Sequence, residues 1–340
     1  MTAMTTPAAQ PDARPTLSIL LPMRNEARNL DRLFQRVTAA LAPLGVSYEI
    51  VCVDDGSTDD TLARLRTYAK AMPMLRVVSL SRNFGKEIGV AAGLAHTSGR
   101  GVVLMDADLQ HLPETIGDLY RPWVEGNYGI VYARRKAFDR GGKFRDFLTN
   151  AFYKVFDFMS EVGVDRETGD YMLMDRRVVD AFLRMPERHR FNRGLLAWAG
   201  FRTTTVDVET ASRDGHSQWG YLKLFQLAFH ALTSFGTFPL RVWTYIGSAV
   251  SLIALFYGAY ILIRTMVFGS DVPGFPSLIV AILFSSGIQL IGLGIIGEYL
   301  GHVFSEVKRR PLYFVEERIG FDADNGPGTG AGRSGQDHAG

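Results

Sequence analysis

The chain has 340 residues, room for two ordinary domains or for one domain joined to a membrane region, and its 47% hydrophobic against 21% charged residues favour the second arrangement. Mean hydropathy is slightly positive at +0.04. A net charge of +2 gives no electrostatic ground for a nucleic-acid partner, and the single cysteine, Cys52, excludes an intrachain disulfide framework and fits a reducing compartment.

Residues 1–15, MTAMTTPAAQPDARP, have no apolar core, so they read as a disordered leader and not as a signal peptide. From Thr16 the pattern alternates. TLSILLPM is a short apolar strand, and NEARNLDRLFQRVTAALAPLG has helical periodicity with a glycine stop. YEIVCVDD is a second strand, and STDDTLARLRTYAKAM opens a helix with Ser57 or Thr58 as its expected cap. LRVVSL, a helix in GKEIGVAAGLAHTSG and the strand GVVLMDAD complete the series. Continuous apolar strands separated by helices predict an α/β domain, a parallel sheet covered on both faces. Such sheets bind ligands at the carboxyl ends of their strands. The polar clusters PMRNE, DDGSTDD, SRNFGK and DADLQH each fall at such an end.

The last of these poses a problem of charge. Alternate side chains of a strand share a face, so Asp106 and Asp108 are expected to point the same way. Two unpaired carboxylates that close disfavour each other's ionisation, and a cation, or a cation carrying phosphates, relieves them. A solvated loop with two capping carboxylates is the plainer alternative for an isolated D-x-D.

From Arg140 the character changes. GKFRDFLTNAFYKVFDFMSEVG sets Phe144, Phe147, Leu148, Ala151, Phe152, Val155, Met159 and Val162 on one helical stripe, either a core-facing helix or one lying in a membrane interface over about 143–162. A second apolar stretch, 216–239, leads into two runs, 240–263 and 277–304, each long enough to cross ~30 Å of hydrocarbon. Arg241 flanks the first run and Lys308, Arg309 and Arg310 follow the second, which puts both outer ends, and the N-terminal domain, in the cytoplasm. Glu298, near the end of the second run, reads as a structural contact near the interface. Residues 305–320 form a basic segment on the cytosolic side, and 321–340 a flexible tail whose literal G-x-G-x-x-G, Gly330 to Gly335, has no strand before it or helix after it.

The ordered set LPMRNEARNL, VDDGSTDDT, SRNFGKEIGVAAGL, DADLQHLPE, TGDYMLMDRRVVDA, RFNRGLLAWAG, RDGHSQW and GEYLGHVFSEVKRRPLYFVEE resembles family 2 glycosyltransferases of the GT-A fold. The likeness runs unbroken from Thr16 to Glu317, and is strongest to the polyprenyl-phosphate branch, with its dolichol-phosphate mannose synthases and bactoprenol glucosyltransferases. It implies a Rossmann-like GT-A domain over 16–215 with amphipathic interface helices and a C-terminal two-helix transmembrane hairpin. It implies an inverting hexosyltransferase of the inner membrane that moves a monosaccharide to polyprenyl phosphate, for cell-envelope glycosylation.

By the same resemblance, Pro22, Asn25 and Glu26 form the first nucleotide loop, and Asp54 and Asp55 hold base and ribose. Carboxylates are suitable acceptors for the N–H and O–H donors found there. Asp106, Asp108 and Gln110 form the site for Mg²⁺ or Mn²⁺, with Asp108 and Asp170 at the reacting centre and Asp106 also on the donor. Arg190 and Arg193 contact the donor diphosphate, while Arg134, Arg145, Thr149 and Arg213 grip the acceptor phosphate. Arg145 and Thr149 share one face of the interface helix. Partners implied are a sugar nucleotide, a lipid phosphate, the bilayer and further copies of the chain, tetramers being common among two-span relatives.

Departures from the family pattern are Met172 for a usual arginine, Gln218 for lysine, Trp219 for tyrosine and Leu112 for proline. UDP-glucose is the first expectation for the donor. GDP-mannose, UDP-galactose and UDP-N-acetylhexosamines stay open, as do a non-phosphate lipid acceptor, a non-catalytic nucleotide-binding scaffold and, least favoured, a small transporter.

Overall fold

The computed structural model describes residues 14–135, 168–185, 187–188, 190–208, 238–268 and 274–321. The expected interface helix at 143–162, most of the second at 216–239, and Arg145, Thr149 and Arg213 lie outside the described residues.

The chain runs β1 (Leu17–Met23), α1 (Leu30–Leu41), β2 (Tyr48–Asp54), α2 (Thr61–Ala71), β3 (Leu75–Leu80), α3 (Lys86–Leu94), β4 (Gly101–Leu104), α4 (Ile116–Gly126) and β5 (Ile130–Arg135). It continues with β6 (Thr168–Asp175), α5 (Arg176–Leu183), α6 (Asn192–Trp198), β7 (Thr203–Val208), α7 (Phe238–Phe268), α8 (Phe275–Val307) and β8 (Val315–Ile319). Among the described residues eight strands join one sheet in the order β7-β5-β6-β4-β1-β2-β3-β8. Its centre, β4-β1-β2-β3, is parallel, as the apolar strand runs predict. The sheet as a whole is mixed, because β6 lies antiparallel between β4 and β5, and β8 runs antiparallel along β3.

Burial follows the strand period. Leu17, Ile19 and Leu21 of β1 pack with Leu33, Phe34 and Val37 of α1 and Trp123 of α4 on one face. Leu20 faces the other way, toward Val90 of α3, Phe182 of α5 and Leu195 of α6. Gly45 ends the α1 region in the left-handed conformation at φ 62°, the predicted glycine stop.

The expected caps of α2 are used otherwise. The helix starts at Thr61 with Asp60 at its N-cap. Ser57 Oγ accepts from the Asn25 amide at 2.9 Å, and the Thr58 amide donates to Asn25 Oδ1 at 2.8 Å. A tertiary partner thus takes the groups that local sequence assigns to capping. Gly56 lies in this turn at φ 64°, and a Cβ there would meet the Arg82 carbonyl carbon and the Asn83 nitrogen at 2.5 Å. The turn after β2 therefore touches the loop after β3, and only glycine permits it.

α7 and α8 are long and carry outward apolar side chains such as Ile253, Phe256, Leu290, Leu293 and Leu300. The indole of Trp243 lies where a Cβ at Gly292 would be, so the two helices approach closely at that point. Among the described residues one segment, Phe284–Val307, is long and apolar enough to cross a membrane, where the sequence reading placed two.

Candidate active site

The carboxyl ends of β1, β2 and β4 open on a cleft of about 490 Å³ lined by Pro22, Met23, Arg24, Glu26, Asp55, Asn83, Gly85, Lys86, Gly89, Asp106, Ala107 and Asp108. Strand β4 stops at Leu104, so the alternation argument for the two aspartates does not apply. The turn after it nevertheless brings both to the cleft. Leu109 closes that turn in the left-handed region at φ 61°, costly for a branched side chain and sustained by its burial. Asp108 Oδ1 accepts from the Gln110 amide at 3.0 Å.

The centre of the site is Lys86, a residue that sequence reading passed over. Its Nζ lies 2.7 Å from Asp106 Oδ1 and 2.7 Å from Asp170 Oδ2. The lysine is the first residue of α3, and Asp170 comes from β6, antiparallel beside β4. Burial opposes the lysine's charge, but the two carboxylates outweigh it and raise its pKa. Burial likewise works against ionisation of Asp170. Lys86, Arg193 and His111 overcome it and hold the carboxyl below the ordinary aspartate range. Both groups are therefore charged at neutral pH. Arg193 lines a second, smaller space together with Lys86, Glu87, Asp170, Met172 and Asn192.

The DDGS turn builds the floor. Asp55 accepts from the amides of Phe84 and Gly85 at 2.7 and 2.9 Å, which fixes the approach to Lys86. Asp54 accepts from the Ser57 amide at 3.3 Å and from Ser79 Oγ at 3.2 Å, and it is buried. Of these two, only Asp55 lines the cleft. Asn25, at φ 59°, serves the turn described above. Glu26 lines the cleft, its pKa raised by burial and by Asp108, Asp59 and Asp106, against the hydrogen bond from Asn29. His111 stacks on Tyr171 with ring centroids 5.0 Å apart, and its Nδ1 lies 4.0 Å from Asp106 Oδ2.

Two of the expected site arginines have partners within the domain. Arg190 donates to the Met185 carbonyl at 3.1 Å and to the Phe182 carbonyl at 3.4 Å, with its guanidinium over the Phe182 ring. It holds the end of α5 and is not brought to the Lys86 cluster. Arg134 pairs with Asp207 at 2.5 Å across β5 and β7.

Among the described residues no group of three or more His, Cys, Asp or Glu side chains gathers as a metal cage. Two cleft carboxylates, Asp106 and Asp108, are still the oxygen-donor set that Mg²⁺ or Mn²⁺ takes when diphosphate and water complete its shell. The residues present fit such an ion.

The mixed sheet with a cleft at its strand ends is that of a GT-A glycosyltransferase domain, and the comparisons with known proteins agree. Residues 18–183 match the model of glycosyl transferase family 2, and residues 238–303 match that of the GtrB C-terminal hairpin. An uncharacterized glycosyltransferase of Synechocystis, sll0501, is 47% identical over 307 residues, covering 90% of this chain and 96% of the relative. The bactoprenol glucosyl transferase of Shigella phage SfII is 40% identical over 302 residues, 88% of this chain and 97% of that one. CsbB of Bacillus subtilis, a putative glycosyltransferase, is 36% identical over 88% of this chain and 91% of its own. The chain belongs to glycosyl transferase family 2. Within that family it falls in the branch that carries the GtrB C-terminal hairpin, and it is a glycosyltransferase.

Proposed function

We propose that the protein transfers a hexose, from UDP-glucose in the first instance, to polyprenyl phosphate with inversion at the anomeric carbon. The observation that carries this is the Lys86 ammonium held between Asp106 and Asp170 at the edge of the cleft. The acceptor phosphate oxygen attacks the anomeric carbon, the bond from that carbon to the donor diphosphate breaks, and the nucleoside diphosphate leaves with the electron pair. A phosphate monoester has its second pKa at ~6, so the nucleophile is already ionised and needs no strong base. A carboxyl held below its ordinary range is a poor base, which suits Asp170 to orienting Lys86 and the sugar. Lys86 and Arg193 supply positive charge where the leaving diphosphate develops negative charge.

Asp106 and Asp108, with Gln110 beside them, would hold Mg²⁺ or Mn²⁺, which when bound neutralises the diphosphate. Pro22, Glu26 and Asp55 border the nucleotide end of the cleft. Arg134, Arg145, Thr149 and Arg213 are assigned to the acceptor phosphate, and Asn25, Asp54 and Arg190 support the donor site from its floor and rim. The apolar C-terminal segment sits in the inner membrane, with the catalytic domain and the basic Lys308–Arg310 stretch on the cytoplasmic side. The bactoprenol glucosyl transferase relatives support lipid phosphate over diacylglycerol as acceptor and glucose over mannose as sugar. The test is transfer from a panel of labelled UDP- and GDP-sugars into the organic phase by the protein in vesicles. Label from UDP-glucose that disappears in Asp108→Ala is expected. Transfer only from another donor would overturn the sugar assignment.

A further inference from the structure

Two stretches of chain far apart in sequence meet at Arg188, in the connection between α5 and α6. Its backbone amide donates to Glu306 Oε1 at 2.6 Å. Its Nη1 donates to the Glu306 carbonyl at 3.0 Å, and its Nε and Nη2 both donate to the Arg310 carbonyl, at 2.9 and 2.5 Å. Glu306 is in the last turn of α8, where carbonyls carry partial negative charge, and its carbonyl also accepts from the Arg309 amide at 3.2 Å. A guanidinium is the natural partner for such a terminus. Between the two carbonyls Arg309 turns at φ 47°, a left-handed conformation uncommon for a residue with a side chain. Arg188 therefore holds both sides of the turn by which the chain leaves the apolar hairpin. Its side chain is only 20% exposed, which sets this contact apart from a loose surface pair.

From Arg188 the connection passes Arg190, which is pinned to α5, and reaches Asn192. The Asn192 amide donates to Glu87 Oε2 at 2.8 Å and its Nδ2 donates to the Glu87 carbonyl at 2.9 Å. Glu87 follows Lys86, and Arg193 follows Asn192, so this clasp joins the two cations of the donor site. A second arm of the same C-terminal segment reaches the same region. The Ser81 amide donates to the Phe314 carbonyl at 3.0 Å, at the start of the loop that ends in Lys86. The chain then pairs with β3 as β8.

We propose that Arg188 and Glu306 form a strut that ties the start of α6, which carries Arg193, to the end of the apolar hairpin, making both of them positioning residues for sugar transfer. The inference rests on the donor-site reading of Lys86 and Arg193. Among the described residues between α5 and α6 there is no helix or strand, so the place of this connection is set by the Arg190 contacts to α5, the clasp at Glu87 and the strut at Glu306. Loss of one lets Arg193 drift against Lys86 and Asp170, and misplacement by about 1 Å costs up to about 10²-fold in rate.

The test uses the full-length protein in vesicles of phosphatidylethanolamine and phosphatidylglycerol. Arg188→Ala and Glu306→Ala should each lower kcat/KM per folded molecule roughly tenfold, inside the about 5- to 150-fold span of ordinary coupling free energies. The double variant should lose more than either single one, because Glu306→Ala removes the acceptor of the Arg188 amide while Arg188→Ala removes the guanidinium that holds the two carbonyls. Glu306→Gln keeps an oxygen for the Arg188 amide and should recover most of the loss, which a general weakening of the fold would not do. Should the alanine variants fail to fold, Arg188→Lys serves instead. It keeps the charge but cannot span both carbonyls, and an about three- to tenfold loss is expected. Variants that unfold at lower temperature yet keep kcat/KM within twofold of wild type would overturn the strut. If the wild type transfers no sugar, the functional reading fails by itself. Affinity for UDP or GDP with Mn²⁺, measured across the same variants, then decides the strut: weakened binding upholds it and unchanged binding overturns it.

Discussion

Replacing Lys86 by methionine keeps most of the side-chain stem and removes the charge that Asp106 and Asp170 share at 2.7 Å each. The lysine side chain is 43% exposed, so solvent screens both pairs and each contributes at most ~1 kcal/mol to folding. The reaction should suffer far more. Loss of one prepositioned donor at a site of developing negative charge typically costs about 10²–10³ in kcat, or ~2.7–4 kcal/mol. The pH response changes as well. Asp170 titrates below its ordinary value because Lys86, Arg193 and His111 outweigh the effect of burial. Its contribution to stability is thus fully present above the unfolded value of ~3.9 and is lost as pH falls through the lower folded value. Lys86 is the mirror case, with its pKa raised by the same carboxylates against burial. Its contribution is present below ~10.4 and is lost as pH rises through the folded value. In Lys86→Met the lysine's contribution vanishes and that of Asp170 shrinks to what Arg193 and His111 supply, so the Asp170 pKa rises. Nucleotide release and thermal unfolding, each followed against pH, give both readouts. A variant with kcat/KM within threefold of wild type and an unshifted acid limb would refute the reasoning.

Further consequences are open to simple measurement. Asp55→Ala strands the Phe84 amide and leaves the Gly85 amide with Asn83 Oδ1 alone, and calorimetry should record a loss of about 1–3 kcal/mol together with a fall in activity as Lys86 loses its support. Gly56→Ala forces a Cβ onto backbone atoms of Arg82 and Asn83, so denaturant unfolding should reveal more than the ~1 kcal/mol that a left-handed alanine costs by itself. Removal of divalent ions with EDTA should abolish turnover, with Mn²⁺ or Mg²⁺ restoring it to wild type and failing to do so in Asp108→Ala; turnover unaffected by EDTA would contradict a metal at Asp106 and Asp108.

The parallel centre of the sheet was legible because β1, β2 and β3 are apolar runs closed by polar turns, and their shortness and β-branched content separate them from helices. The cleft was legible for the same reason, since Pro22, Asp55, Asp106 and Asp108 all fall just where such strands end. Lys86 was not, although SRNFGK stood out as a polar cluster. Its partners lie 20 and 84 residues away, and only the antiparallel insertion of β6 brings Asp170 to it. Ser57 and Thr58 carry the chemistry of helix caps, and local propensity has no means of knowing that Asn25 claims them. β8 was hidden because VEERI alternates half-buried and exposed residues with little apolar signal, as an edge strand does. Arg190 and Arg193 look alike in sequence, yet the carbonyls at the end of α5 capture the first.

The acceptor is the centre of the account, and a single stoichiometry tests it. Wild-type protein in vesicles, given labelled UDP-glucose, divalent ion and either undecaprenyl phosphate or diacylglycerol, should release one UDP for each sugar that enters the organic phase. That product should appear with the lipid phosphate alone and should carry inverted anomeric configuration. Sugar transferred to diacylglycerol, or UDP released with undecaprenyl phosphate present and no label in lipid, would contradict it.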